Sequence, residues 1–193
     1  DLGPDDIDLD LIAASRVTYM EGYLWDPPSA KEAFVKAADG AHQAGRKVSL
    51  SLSDPFCVDR HRDDFLDLTE NHVDILFANE HEIMSLYQVE SFDESLQAVR
   101  GHCEIAALTR GEKGSVIVSG DEIHMVDAEP VNGLADTTGA GDAFAAGFLS
   151  GLTSGRNLAT SARIGGIAAA EVISHLGARP DVSLKALVGK KLG

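Results

Sequence analysis

Asp136-Thr137-Thr138-Gly139-Ala140-Gly141-Asp142-Ala143-Phe144-Ala145-Ala146-Gly147-Phe148-Leu149 sets small, Gly-rich backbone directly before a helical apolar pattern, with one carboxylate, Asp142, between the two. Gly139, Ala140 and Gly141 carry almost no side chain, so their backbone N–H groups can converge on an anion at the helix N-terminus, where the macrodipole favours negative charge. A carboxylate beside a bound phosphate would ordinarily repel it. Asp142 makes chemical sense there if it takes the proton of a hydroxyl as that oxygen attacks a phosphoryl group. The short Gly-x-Gly-Asp core also fits a turn whose Asp merely complements the helix dipole, and the spacing alone leaves both open. No Gly-Lys-Ser/Thr follows the glycines, so the segment is not a Walker-type phosphate loop.

Toward the amino terminus, strand-like runs at 16–20, 47–52 and 73–78 alternate with helical patterns at 29–44 and near 63–69. This βαβα order predicts a parallel sheet with helices on its faces, and such sheets bind ligands beyond the carboxyl ends of their strands. Helices are expected at 80–86 and 93–100 and a buried strand at 105–109. The runs 115–119 and 122–126 flank Gly120-Asp121 and read as a hairpin, hence an antiparallel edge. Two helices follow, at 141–152 and 157–176, the second closed by Gly177 with Pro180 beyond.

Three further segments place polar or glycine residues at strand ends. Asn79-Glu80-His81-Glu82 follows the strand at 73–78, where chemistry is expected, yet Asn79 with Glu82 three residues on is also a complete capping box. Thr109-Arg110-Gly111-Glu112-Lys113-Gly114 follows the next strand. Its glycines fit a turn as well as a close approach to a ligand, and Arg110 and Lys113 could donate to phosphates or stay solvated. Ser51-Leu52-Ser53-Asp54-Pro55-Phe56 ends a strand at a proline and could line a pocket. Trp25 and Phe56 are aromatic candidates for a ligand contact, against the default that aromatics near strand ends belong to the core.

With 193 residues and 44% hydrophobic content the chain can bury one substantial core. A formal charge of −15 opposes nonspecific binding to nucleic acid or to an anionic membrane, so any phosphate site must be local and the expected partner is a small molecule. No apolar run approaches the roughly 20 residues that span a bilayer, which makes the cytoplasm the expected location. Cys57 and Cys103 form neither a CxxC nor a zinc spacing and are expected to be reduced thiols.

The fourteen-residue string at 136–149 resembles the second signature of the ribokinase-like (PfkB) family of sugar and nucleoside kinases. The resemblance extends over the chain, and the segments 21–27, 51–56 and 73–80 look closer to the adenosine kinase branch. It implies a ribokinase-like three-layer α/β/α fold with a mainly parallel central sheet and an antiparallel hairpin at one edge. Residues 1–193 would form the carboxyl-terminal part of a single kinase domain, with the first strands, the lid and most acceptor contacts preceding Asp1. The implied reaction moves the γ-phosphoryl group of ATP to an alcohol, most readily the adenosine 5′-hydroxyl. A sugar such as ribose or fructose and a non-catalytic nucleotide-binding module are the alternatives. By the same resemblance Asp142 is the catalytic base and Gly139, Ala140 and Gly141 form the anion hole. Asn79 and Glu82 match the NxxE motif that organises Mg²⁺ through water, and Asn79, Thr109, Gly111 and Gly114 lie against ATP. Asp136 and Thr138 match positions that hold K⁺ in potassium-activated members. Many members carry a His near the adenine where this chain has Gly166.

Overall fold

The computed structural model describes residues 2–131 and 133–193. A six-stranded sheet, in the order β1 (Val17–Glu21), β2 (Lys47–Ser51), β3 (Ile75–Asn79), β4 (Ile105–Thr109), β5 (Ser115–Ser119) and β6 (Glu122–Val126), is the centre of a three-layer α/β fold. Burial follows the order. The outermost strands β1 and β6 are only partly covered, whereas β3, β4 and β5 bury every residue but their last. β1 pairs with β2 and β2 with β3 in parallel, placing Glu21 beside Ser51 and Ser51 beside Phe77. The β4–β5 and β5–β6 connections are far shorter than a parallel crossover requires, so this end of the sheet runs antiparallel, as the Gly120-Asp121 signal predicts.

The chain divides into two compact units. The first runs to Leu108 and takes in Val118–Glu122; the second comprises Thr109–Ile117 and Ile123–Gly193. In the first unit, helix α1 (Leu9–Ala14) packs on α2 (Pro28–Gln43), which buries Ala30, Ala33, Phe34, Ala37, Ala38 and Ala41, a three-and-four spacing that sets one small-residue face against β1 and β2. Helices α3 (Pro55–Asn71), α4 (Glu80–Tyr87) and α5 (Phe92–Ala98) complete it. The amino ends of its strands are tied by structural pairs: the Asp74 carboxylate accepts from Val48 N–H at 2.7 Å, and Lys47 pairs with Asp74 and Glu104.

The second unit is built on α6 (Ala140–Thr153) against α7 (Leu158–Val172), with α8 (Leu184–Leu192) following. A methyl group at Gly147 would lie 2.8 Å from both Gly165 Cα and the Ile164 carbonyl, and one at Gly165 would lie 2.7 Å from the Phe144 carbonyl. Small residues at both positions let the two helix backbones approach this closely.

Three expectations need correction. Pro55 does not merely end a strand: it occupies the first turn of α3, whose N-cap Asp54 accepts from Cys57 N–H at 2.7 Å. The helix expected near 63–69 therefore begins eight residues earlier, with a kink at His61 that separates the two apolar registers. Helix α7 stops at Val172 and not at 176, because the Ile173 carbonyl turns aside to accept from Ala135 N–H at 2.9 Å. Helices α1 and α8 are new, the former burying one residue and the latter none, so neither writes a strong apolar stripe into the sequence.

Gly147→Ala is expected to lower unfolding free energy by about 1–3 kcal/mol, the range for overpacking, less up to about 1 kcal/mol of helix propensity regained. Gly189, inside α8 with nothing within 4 Å of a built Cβ, supplies the control. Gly189→Ala should raise it by about 0.5–1 kcal/mol. Urea denaturation of both variants decides the point, and equal stabilisation would remove the close approach from the account.

Candidate active site

In the first unit the carboxyl ends of β1, β2 and β3 bring Glu21, Ser53, Asp54, Asn79 and Glu82 into one electrostatic neighbourhood. Asn79 caps α4, its Oδ1 accepting from the N–H groups of His81 and Glu82, both at 2.9 Å. Glu82 closes the box: its Oε2 accepts from Asn79 N–H at 2.8 Å and its Oε1 from the Asn79 amide. The capping reading of this segment is therefore correct as geometry. It leaves a second fact unexplained, since Glu82 is only 6% exposed and burial pushes its carboxyl up to about 7, against the Asn79 N–H bond and aided by the charges of Asp54 and Glu21. A box at an ordinary helix start needs no buried acid beside two others. His81 is exposed.

Ser53 sits at φ 72°, a left-handed conformation unusual for a residue other than glycine, asparagine or aspartate. It is held there by its hydroxyl, which donates to Glu21 and accepts from Tyr23 N–H at 3.0 Å. The Tyr23 hydroxyl bonds Asp54, and burial, then that bond, raise its pKa. Phe56, in the first turn of α3, is 76% exposed. Trp25 is not available to a ligand in this way: it is 4% exposed, packs edge-on against Phe34 at 5.3 Å, and donates its indole N–H to Asp64 at 2.9 Å. Of the two aromatic candidates the structure makes Trp25 core and leaves Phe56 open.

In the second unit the glycine-rich loop has the geometry its sequence implies. Gly139, at φ 79°, is the N-cap of α6, and a methyl there would also collide with Ala178 at 2.6 Å. Ala140 N–H closes onto the Thr137 carbonyl at 3.1 Å, and Ala143 N–H onto Gly139 at 2.9 Å. The N–H groups of Gly141 and Asp142 lie in the first helical turn, where no intrahelical acceptor exists. A methyl on Gly141 would meet nothing within 4 Å, and the Asp142 side chain is exposed on the same turn. Asp136 is tied both within the loop and to the segment after α7. Its Oδ1 accepts from Thr138 N–H at 2.9 Å and Oγ1 at 2.7 Å, and its Oδ2 from Gly177 N–H at 3.1 Å. These bonds, Thr138 N–H first, hold its carboxyl below the usual carboxylate range.

Thr109 ends β4, and Gly111–Lys113 forms a 3₁₀ turn closed by Arg110 N–H on the Gly114 carbonyl at 2.8 Å. Gly114 is required by the chain's own backbone, because at φ 84° its Cβ would fall 2.0 Å from the Val126 carbonyl. The turn reading thus accounts for Gly114 without a ligand. At Gly166 a methyl would meet only the Glu129 side chain, at 3.9 Å.

Sequence reasoning singled out Asn79, Glu82 and the anion loop, and passed over Glu21, Ser53 and Asp54 as individual residues. Glu21 is the last residue of β1, before Gly22, and Ser53 and Asp54 stand two and three positions past β2, before Pro55. That is a usable signal only once the strands are known to be adjacent and in register.

A model of the pfkB family carbohydrate kinases matches residues 3–185. The chain belongs to that family. Adenosine kinase of Saccharomyces cerevisiae is 29% identical over 189 residues, which cover 90% of this chain and 54% of that protein. The structure of adenosine kinase from Sinorhizobium meliloti matches with a TM-score of 0.97 and 48% identity, over 99% of this chain and 59% of that one. A probable sugar kinase from Rhizobium etli CFN 42 matches with a TM-score of 0.96 and 50% identity, over 98% of this chain and 58% of that one. The chain thus spans little more than half the length of these relatives. No helix among the described residues is long and apolar enough to cross a membrane.

A carboxyl with a higher pKa in the folded chain than in the unfolded one adds stability at low pH that is lost as pH rises through the folded value. From Glu82, stability should fall between pH 4.5 and about 7, by up to about 3 kcal/mol at 1.36 kcal/mol per unit. Denaturation of wild type and Glu82→Gln at pH 5 and pH 8 isolates the component. A difference between the two proteins that does not change with pH would show that Glu82 ionises as an ordinary surface acid.

Proposed function

We propose that the protein is an ATP-dependent phosphotransferase acting on a nucleoside, with adenosine the foremost acceptor, and that this chain carries its general base and anion hole. The observation that carries the reading is the exposed Asp142 in the open first turn of α6, behind the left-handed Gly139. A helix start with free-facing N–H groups favours an anion, and a carboxylate beside a phosphate bound there would be repelled unless it has a proton to accept.

In this reading the acceptor hydroxyl oxygen forms a bond to the γ-phosphorus as the bond to the β-phosphate oxygen breaks. The hydroxyl proton passes to Asp142, and ADP leaves. Gly139, Ala140 and Gly141 offer backbone donors to the charge that develops on the transferring group, where they need no reorganisation. Gly111 and Thr109 supply the nucleotide-facing turn after β4.

The carboxyl-end acids of the first unit suit Mg²⁺, which would supply neutralisation of phosphate charge. Their donor set is all hard oxygen, and the charges of Asp54 and Glu21 raise the cost of ionising Glu82 in a way that a nearby dication would relieve. No group of three acidic, His or Cys side chains is close enough to chelate a metal among the described residues, so the fit is to a hydrated ion held through its waters by Asn79 and Glu82. Asp136 is anionic and Thr138 is fixed beside it, which suits a monovalent cation such as K⁺, although their mutual bonds and Gly177 already account for their positions.

For the acceptor, the adenosine kinase names of the yeast and Sinorhizobium relatives and the exposed Phe56 at the carboxyl end of β2 favour a purine nucleoside. The Rhizobium relative is called a probable sugar kinase, and ribose or fructose is the second reading on that ground.

In the full-length protein, Asp142→Asn is expected to lower kcat by a factor on the order of 10² to 10⁴ and to leave ATP affinity within a few fold. Near-normal turnover would end the base assignment. Turnover with adenosine, ribose and fructose in parallel, each at saturating ATP, ranks the acceptors, and preference for a sugar would replace the nucleoside reading.

Glu82→Gln should raise the Mg²⁺ concentration that gives half-maximal rate. Gln serves nearly as well as Glu in a capping box, so an unchanged Mg²⁺ dependence would reduce Asn79 and Glu82 to a helix start.

A further inference from the structure

The segment between α7 and α8, residues 173–183, touches both ends of the anion loop. At one end the Ile173 carbonyl accepts from Ala135 N–H at 2.9 Å and Gly177 N–H donates to Asp136 at 3.1 Å. At the other, Ala178 occupies the space that keeps residue 139 a glycine. The segment contains no helix or strand of its own, so side chains must fix its path.

Those side chains form one cluster. Glu171, in the last turn of α7, is 8% exposed, and its Oε1 accepts from Asp181 N–H at 3.0 Å. Its Oε2 and the Nε2 of His175 are both buried with no hydrogen-bond partner, a costly pairing unless the two groups attract each other as charges. His175 stands beside that carboxylate. Its Nε2 lies 3.3 Å from Glu171 Oε1 and its Nδ1 3.7 Å from Asp181 Oδ2. Burial opposes the charge on His175, but the Leu176 carbonyl, Glu171 and Asp181 outweigh it and place the imidazole above its ordinary pKa. The third acid that feels this charge is Asp136, from the anion loop itself. Nothing in the proposed chemistry uses Glu171, His175 or Asp181.

We propose that His175, bridging Glu171 and Asp181, is a positioning residue that locks residues 173–178 onto the anion loop and thereby fixes the backbone of Gly139 to Asp142. The consequence for rate rests on the phosphotransferase reading above; the lock itself does not. A neutral side chain at 175 leaves Glu171 buried without its cation and frees the segment, while α6 and α7 stay joined by their glycine seam.

Amide hydrogen exchange on the full-length protein tests the lock. In His175→Gln, exchange at 135–141 and 174–178 should rise about tenfold, the scale of one partly buried ion pair, with 158–170 unchanged. Glu171→Gln should loosen the same amides. The double variant should be no looser than the worse single one, because both remove one interaction. Unchanged exchange at 135–141, an equal rise throughout α6 and α7, or additive effects in the double variant would overturn the proposal.

Under the same reading kcat in His175→Gln should fall about tenfold while the acceptor KM stays within about twofold, as expected when transition-state contacts alone are lost. If wild type transfers no phosphoryl group yet the exchange pattern appears, the lock stands and the kinase reading fails. If wild type is active and the pattern is absent, the kinase reading stands and the lock fails.

Discussion

Backbone-to-backbone contact between α6 and α7 governs the second unit. Gly147 and Gly151 on one helix face Gly165 and Ser161 on the other, and an added methyl at any of the three glycines would fall within 3 Å of atoms across the seam. Helices so close have little freedom to slide. The start of α6 is therefore set from behind, and the loop before it can carry a left-handed Gly139 and an exposed Asp142 without a large side chain to hold them. The polar ties from Asp136 to Thr138 and Gly177 then close the loop from its other side. A rigid helix start with open N–H groups is what an anion site needs, since donors already in place lose no energy in reorganising.

The first unit solves a different problem. Strands buried on both faces leave only their ends for polar chemistry, and the two ends are treated oppositely. At the amino ends Lys47 pairs with Asp74 and Glu104, and His42 bonds Asp74. At the carboxyl ends Glu21, Asp54 and Glu82 are acids whose main partners are backbone N–H groups, hydroxyls and an amide. The protonation of Glu82 is costly to remove, and this measures how far the cluster departs from self-sufficiency. The box holds the Glu82 carboxyl in place, while burial and its neighbours make it responsive to added positive charge.

Much of this was legible because local patterns and global fold agree. The alanine face of α2, the fully apolar run of β3 and the Gly120-Asp121 turn each permit one local structure, and the structure adopts it. Where local signals compete, the reading slipped. Pro55 signals both the end of a strand and the first turn of a helix, and Asp54 decides in favour of the helix by capping Cys57. Gly177 looks like the stop of α7, but a bond from Ala135, distant in sequence, ends the helix a turn sooner. Trp25 and Phe56 are alike as sequence, and only packing against Phe34 and Phe65 separates a core residue from an exposed one.

The sequence by itself determined the alternation of strands and helices, the glycine-rich loop with Asp142 at the helix start, and the Asn79–Glu82 spacing, because each rests on residues within a few positions of one another. Tertiary structure alone decided which acids share the carboxyl-end neighbourhood, which glycines serve backbone contact and which leave space, and that His175 stands between Glu171 and Asp181. Those facts depend on the register of adjacent strands and on the path of a loop without secondary structure. Neither leaves a periodic trace in the chain, since each is fixed by contacts between segments that local propensity treats as independent.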